Sequence, residues 1–246
     1  MPTWFWPIVF GLLGAILGSF IATLCLRWPA GRSVTAGRSH CDACGRALSA
    51  PDLVPLLSAL ASGGRCRSCR TPIDPAHGSI EFAALLAGAA PFLLLAPVPA
   101  AAWALMAWLL IPLIWLDNRH LWLPDPLVLP LALAGLLAGG YLGGLTPVDR
   151  LIGGAAGWAV LASIAGGYRR LRGFDGLGQG DPKLLGAAGL WLGWQALPFL
   201  LLLASGVGLA LALARSRTIP LAQQRIPFGT AIGLAALLIG LLPPLA

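Results

Sequence analysis

The chain interrupts its apolar pattern at one short polar stretch, Gly176-Leu177-Gly178-Gln179-Gly180-Asp181-Pro182-Lys183. The stretch combines glycines, which allow unusual backbone paths, with a carboxylate, a proline that can begin a helix, and a lysine. Apolar residues flank it on both sides. Irregular backbone at membrane depth is tolerated only where protein buries it or a wet cavity solvates it. An ionisable group in such a place is therefore a candidate functional residue.

The composition indicates a polytopic membrane protein. Hydrophobic residues make up 58% of the 246 residues and charged residues only 10%, against roughly 25% charged residues in soluble domains. The mean hydropathy is +0.83. Apolar runs of about 18 residues or more predict membrane spans. They occur at residues 5–26, 79–97, 99–116, 126–144, 149–167, 182–196, 197–214 and 228–245, so we expect an all-α fold of about eight transmembrane helices.

The basic residues predict the orientation of these spans. The net charge of +7 comes mainly from arginines at one face, seven of them in the first long loop, and only Arg150 falls at an opposite end. The positive-inside rule then places the amino terminus outside and this loop in the cytoplasm. The basic charge therefore indicates topology and contact with lipid headgroups, not a nucleic-acid partner. We expect a first helix at 1–26, a cytoplasmic loop domain at 27–78 and a membrane-embedded core of about seven helices at 79–246.

Two Cys-x-x-Cys motifs lie in the cytoplasmic loop, 21 residues apart. This spacing is typical of zinc sites, because each motif can present two thiolates from one tight turn. Disulfides are the alternative, but a cytoplasmic loop is reducing. Four protein ligands leave no open coordination position, so the site would be structural. We predict a structural Zn²⁺ bound by Cys41, Cys44, Cys66 and Cys69; the adjoining His40 is interpreted as a solvated side chain.

Helix capping explains some of the acidic residues at span ends, but not all. Asp125 and Asp181 each precede a proline, so each is predicted to be an N-cap with proline at N1; for Asp181 a catalytic role is also compatible. Asp117 lies at the carboxyl end of the third predicted span, where the helix dipole disfavours an anion. The presence of a carboxylate at this position therefore requires an explanation other than capping. Glu81, the only glutamate, has either a dipole-stabilising or a functional role. Lys183 is either a surface lysine or a charge partner of the site.

The sequence offers no convincing nucleophilic triad. No serine occurs in a Gly-x-Ser-x-Gly elbow, and the three histidines all fall in predicted cytoplasmic segments. Two carboxylates in one low-dielectric site cannot both ionise easily, so one stays protonated while the other acts as a base. Asp117 and Asp181 are both predicted at cytoplasmic ends of spans. If the fold brings them together, the pair supports aspartic-type amide hydrolysis.

Four motifs occur in a specific order along the chain. They are Gly18-Ser19-Phe20 with Arg27 and Pro29; the double Cys-x-x-Cys loop with residues 52–58; Asp117 with Leu123-Pro124-Asp125 and the 176–183 stretch; and Ile226-Pro227-Phe228-Gly229. In this order they resemble the type IV prepilin peptidases, membrane aspartic proteases of the GxGD type. The resemblance implies a bifunctional enzyme of the bacterial inner membrane with a periplasmic amino terminus. Such an enzyme cuts the basic leader from type IV prepilins and type II secretion pseudopilins on the cytoplasmic side, then methylates the new amino terminus with S-adenosylmethionine.

The same resemblance implies roles for individual residues. Asp117 and Asp181 would be the catalytic pair, and Gly178 and Gly180 would let the segment that carries Asp181 bend toward Asp117. Roles in substrate binding or methyl transfer would fall to Glu81, to Lys183 and to Asp125, which matches a non-catalytic aspartate of the family.

One stretch departs from the family pattern. Members usually carry an Arg-Tyr-Pro run before the glutamate, where this chain has Ala76-His77-Gly78-Ser79-Ile80-Glu81. The sequence also lacks a glycine-rich S-adenosylmethionine fingerprint, so the methyltransferase activity rests on the resemblance alone. The alternatives are an ion or proton transporter, which the lack of mid-span acids disfavours, and a non-catalytic pilus assembly factor. The double Cys-x-x-Cys loop favours the bifunctional enzyme over a preflagellin-type or presenilin-like protease.

Overall fold

A computed structural model describes residues 2–34, 38–173, 176–216 and 224–242. Within these residues the secondary structure is helical and contains no β-strand. The chain divides into two compact units, Met1–Leu93 and Leu94–Ala246. The α-helices are α1 (Phe5–Arg27), α2 (Leu57–Ala61), α3 (Pro75–Ala89), α4 (Pro97–His120), α5 (Asp125–Ala138), α6 (Gly140–Gly143), α7 (Pro147–Arg172), α8 (Asp181–Leu192), α9 (Leu197–Arg215) and α10 (Phe228–Ile239).

Among the described residues, five helical segments are long and apolar enough to cross a membrane: Phe5–Arg27, Pro75–Leu93, Pro97–His120, Pro147–Arg172 and Leu197–Arg215. The other three predicted spans coincide with shorter helices, α5, α8 and α10, which contain 14, 12 and 12 residues. At 1.5 Å per residue they reach only about 18–21 Å, less than the roughly 30 Å hydrocarbon core. An all-helical membrane protein is confirmed; the count of eight spans stays a prediction, and residues 243–245 of the last predicted span lie outside the described residues.

In the first unit, α1 packs along α3 through small residues. A Cβ atom built on Gly18 would lie 2.8 Å from the Cα of Glu81, and one on Gly11 would lie 3.3 Å from the Cβ of Ala89. Ala84 is completely buried in the same contact surface. Small residues are what allow two membrane helices to approach this closely. The division of the chain into three parts stays a prediction. In the structure, α3 falls in the same compact unit as the loop that precedes it.

In the second unit, α8 is the central helix and packs against α5, α7 and α10. Its Trp191 is fully buried and donates a hydrogen bond from Nε1 to the Leu131 carbonyl of α5 at 2.9 Å. Where α7 crosses α8, a Cβ atom on Gly153 would lie 2.5 Å from the Gly189 carbonyl oxygen. Helix α8 therefore cannot shift without disturbing its neighbours, which fixes the position of Asp181 at its first residue.

Arg150 is a buried charged residue of the second unit, at the end opposite to Asp181. Its guanidinium donates to the carbonyls of Gly135 and Leu136, at 3.2 and 2.7 Å. These carbonyls lie in the last turn of α5, where the helix dipole favours a cation. The one arginine predicted at the outer face thus ties α7 to the end of α5.

The crossing of α7 and α8 can be tested with paired alanine substitutions. Gly153→Ala should lower the free energy of unfolding by about 1–3 kcal/mol, because the added methyl overpacks the crossing. Gly166→Ala on the same helix has no atom within 4 Å of the new methyl and should be neutral or slightly stabilising. Thermal unfolding in detergent measures both. Equal stability of the two variants would contradict the close crossing.

Candidate functional site

Asp117 lies in the last turn of α4 and is buried, with 5% of its surface exposed. Its Oδ2 accepts hydrogen bonds from the backbone N–H of Thr230 at 2.6 Å and from the Thr230 hydroxyl at 3.0 Å. Thr230 is the third residue of α10, so its N–H is one of the groups that a helix start leaves without a helical partner. The amino-terminal end of α10 thus supplies the compensation that Asp117 lacks at the carboxyl end of its own helix.

Asp181 is the first residue of α8 and is also buried, with 5% exposed. Its Oδ2 accepts a hydrogen bond from the backbone N–H of Gly178 at 3.0 Å. The prediction that Asp181 is the N-cap is wrong, since Gly180 occupies that position. Because the helix already includes Asp181, its carboxylate turns back to the preceding loop and not forward to the first turn.

The structure brings Asp117 and Asp181 close enough to interact electrostatically. Three close contacts surround them. A Cβ atom on Gly180 would lie 2.6 Å from the Cβ of Leu123, and one on Gly229 would lie 2.7 Å from Leu123 Cδ1 and 3.1 Å from Asp117 Cγ. Leu123 therefore fills the space between the loop before α8 and the start of α10, and only glycines fit against it.

Gly178 and Gly180 lie in the loop where they were predicted, but the need for glycine at these positions has a different physical cause. Neither has the positive φ that favours glycine. A Cβ atom on Gly178 would lie 3.0 Å from Asp181 Oδ2. Glycine at both positions allows close approach, with Gly178 contacting the carboxylate and Gly180 contacting Leu123.

Asp125 and Lys183 form an exposed ion pair beside this site. Lys183 Nζ lies 2.7 and 2.9 Å from the two carboxylate oxygens of Asp125. Of the two roles predicted for Lys183, the structure therefore favours the charge partner, and the partner is Asp125. The N-cap prediction for Asp125 is wrong: Pro124 is the N-cap, and the Asp125 carboxylate is engaged by Lys183. The pair joins the first turns of α5 and α8, but its exposure limits its contribution to stability.

The four predicted metal ligands are gathered in the first unit. The Sγ atoms of Cys41, Cys44, Cys66 and Cys69 all lie within 4.8 Å of one another. Cys41 and Cys69 Sγ are 3.8 Å apart, which is about the 3.8 Å edge of a tetrahedron with Zn–S bonds of 2.3 Å. Hydrogen bonding to Thr71 lowers the pKa of the Cys69 thiol to about 6, so this ligand is readily a thiolate. The cluster could hold a metal ion.

Asp52 links the two Cys-x-x-Cys motifs. It accepts from Arg46, which follows the first motif, at 2.6 Å and lies 3.3 Å from Nε of Arg67, inside the second motif. Hydrogen bonds from the Ser49 hydroxyl and N–H, together with these arginines, hold the pKa of Asp52 below its usual value. The link keeps both motifs in register around the cysteines.

Glu81 lines a cavity of about 580 Å³ enclosed by α1, the cysteine loop and α3, which we call the loop cavity. Only 7% of Glu81 is exposed, and its Oε2 accepts from the backbone N–H of Leu56 at 2.8 Å. Leu56 has a left-handed φ of 61°, a conformation that is uncommon for non-glycine residues. Glu81 therefore faces a cavity of ligand size. The prediction that the helix dipole stabilises Glu81 is wrong, because α3 begins at Pro75 and Glu81 is its seventh residue, beyond the first turn.

Sequence reasoning missed two residues of the acid site, Thr230 and Leu123. Thr230 directly follows the motif that ends at Gly229, so the motif marked the place without indicating a donor to Asp117. Leu123 belongs to the Leu123-Pro124-Asp125 motif, but the motif did not indicate its contacts with Gly180 and Gly229, because a leucine in an apolar chain is indistinguishable from any other core residue.

Two family descriptions match successive parts of the chain. Residues 12–95 match the Bacterial Peptidase A24 N-terminal domain, and residues 103–213 match the Type IV leader peptidase family. The chain is 41% identical to a prepilin leader peptidase/N-methyltransferase of Aeromonas hydrophila, over 80% of this chain and 69% of that protein. It is 33% identical to the protein of the same name from Pseudomonas aeruginosa, over 91% of this chain and 86% of that protein. No solved structure matches. Together these similarities show that the chain belongs to the type IV leader peptidase family.

Proposed function

We propose that the chain is an aspartic endopeptidase that uses Asp117 and Asp181 to cut the basic leader from type IV prepilins and pseudopilins. The observation that carries the proposal is the shared burial of two carboxyl groups from different helices. Membership of the family supports a peptidase. The cut takes place at the cytoplasmic face of the bacterial inner membrane. The chain crosses this membrane about eight times with its amino terminus in the periplasm, an orientation that the arginine distribution supports.

The hydrogen bonds favour different roles for the two acids. Asp117 receives two donors from Thr230 and Asp181 receives one from Gly178, so Asp117 is the carboxylate and Asp181 carries the shared proton. Asp117 takes a proton from water as the water oxygen bonds to the scissile carbonyl carbon. Asp181 gives its proton to the leaving amine as the C–N bond breaks. Lys183 and Asp125 border the site as an exposed ion pair.

The second activity is methylation of the new amino terminus, at the loop cavity. The supporting observation is the buried Glu81 in a cavity whose volume suits a cofactor-sized ligand. S-adenosylmethionine supplies the methyl group when bound. Zn²⁺ bound by Cys41, Cys44, Cys66 and Cys69 would have a structural role, since four thiolate ligands would leave no open coordination position.

The catalytic pair is tested by conservative replacements in the full-length protein. Asp117→Asn and Asp181→Asn should each lower the rate of prepilin leader cleavage at least about a hundredfold, because neither amide can exchange the required proton. Asp125→Asn is the matched control: it removes an exposed ion pair, and cleavage should stay within about fivefold of wild type. Full cleavage by the first two variants would rule out the dyad.

Thr230 is tested by a pair of variants that differ in one hydroxyl. Thr230→Val keeps the backbone donor to Asp117 but removes the side-chain donor, and should slow cleavage about 10- to 100-fold. Thr230→Ser restores the hydroxyl and should recover most of the rate. Steady-state cleavage assays measure both variants. If serine and valine behave alike, the hydroxyl does not act on Asp117.

The metal proposal is tested by elemental analysis of purified protein. Wild type should contain about one zinc per chain, and Cys66→Ser should lose it, because a three-cysteine site binds zinc more weakly. Cys25→Ala is the control, since Cys25 is buried in α1 away from the ligand set. Wild-type protein that is free of metal yet keeps a protease-resistant loop would overturn the proposal.

A further inference from the structure

One face of α3 presents two groups to the loop cavity that peptide cleavage does not use. His77 and Glu81 are four residues apart on α3 and both line the cavity, since residues at i and i+4 share a helix face. Between them, a Cβ position on Gly78 has no atom within 4 Å. The helix surface between the two side chains is therefore open.

Both groups have free hydrogen-bonding capacity within the part of the chain that the structure describes. The half-buried His77 ring makes no hydrogen bond there, and Glu81 uses only Oε2, in its bond from Leu56. The charged groups around the ring are Glu81 and Asp74 at the start of α3, Asp42 from the first cysteine motif and Arg27 from the end of α1. Three carboxylates against one guanidinium favour a cation beside His77.

We propose that His77 accepts the proton of the substrate's amino-terminal ammonium in the loop cavity, while Glu81 binds the same amino group. The inference rests on the methyl-transfer half of the proposed function. An α-amino group has a pKa of about 7.7–8.0 and is mostly protonated at neutral pH, and a protonated nitrogen has no lone pair with which to attack a methyl group. Histidine suits the acceptor role, because its ordinary pKa of about 6.5 leaves it neutral at pH 7.

The reaction consists of a proton transfer followed by a methyl transfer. The ammonium N–H bond breaks and the proton moves to a ring nitrogen of His77. The freed amine forms an N–C bond to the methyl group of a sulfonium donor as the S–C bond breaks, and the thioether leaves with the electron pair. His77 then releases its proton to water. The product is a secondary ammonium, which carries the positive charge that the sulfonium loses.

The first test is the pH dependence of methyl transfer to a prepilin whose leader has already been removed. In wild type the rate should change little between about pH 8 and pH 7, because His77 takes the proton of the bound ammonium. In His77→Asn it should fall about tenfold for each pH unit below about 8 and rejoin wild type above about pH 9, where the amine loses its proton to solvent. Leader cleavage should not change. His120→Asn is the control, because His120 is exposed at the end of α4 and does not line the loop cavity.

The second test needs no methyl donor. In wild type labelled at histidine ring carbons, the signal of His77, assigned by its absence in His77→Asn, should shift when a peptide with the mature amino terminus binds. The N-acetylated peptide should leave it unmoved. A uniform rate loss at all pH values, or a signal that responds equally to both peptides, would overturn the role of His77. Wild type that cleaves but transfers no methyl group at any pH would instead remove the methyltransferase half of the proposed function.

Discussion

The second unit depends on one contact, the hydrogen bond from the Thr230 N–H to the buried Asp117 carboxylate. A buried carboxylate is destabilising unless donors satisfy it, and the carboxyl end of α4 offers none, since that end of a helix exposes carbonyl oxygens. The start of α10 offers both free N–H groups and a favourable dipole. The charge of Asp117 therefore determines where α10 begins relative to the end of α4.

Glycines make that arrangement sterically possible. Gly229 places the first turn of α10 against Asp117 and Leu123, and Gly233 brings the next turn against Ile114, where a Cβ atom would lie 2.6 Å from its Cγ1. On the other side, the Gly153 and Gly189 crossing holds α8 against α7, with Asp181 at its start. Side chains at these positions would move the helices apart by more than an acid pair tolerates. The site is thus built from close backbone approach as much as from its two carboxylates.

Much of this could be predicted from the sequence, for identifiable reasons. The hydropathy runs found every long helix, because burial in lipid demands continuous apolar residues, and the Cys-x-x-Cys spacing found the thiol cluster, because the ligands are local to two turns. Asp117 was singled out because no local interaction explained it. The partner that explains it, Thr230, is 113 residues away, and no local pattern specifies such a contact. The N-cap predictions for Asp125 and Asp181 failed because each helix includes its aspartate, and Lys183 and Gly178 bind the carboxylates instead.

The proposed chemistry rests on one proton shared between two acids that have unequal numbers of hydrogen-bond donors. The most direct measurement is the pH dependence of kcat/KM for leader cleavage by the wild-type protein in a defined lipid bilayer. The account predicts a bell-shaped profile, with an acidic limb where the ionised carboxyl becomes protonated and an alkaline limb where the shared proton is lost; both apparent pKa values belong to the pair. A rate that rises with pH and then stays level, with no alkaline limb, would mean that no protonated acid takes part, and the two-aspartate mechanism would be wrong.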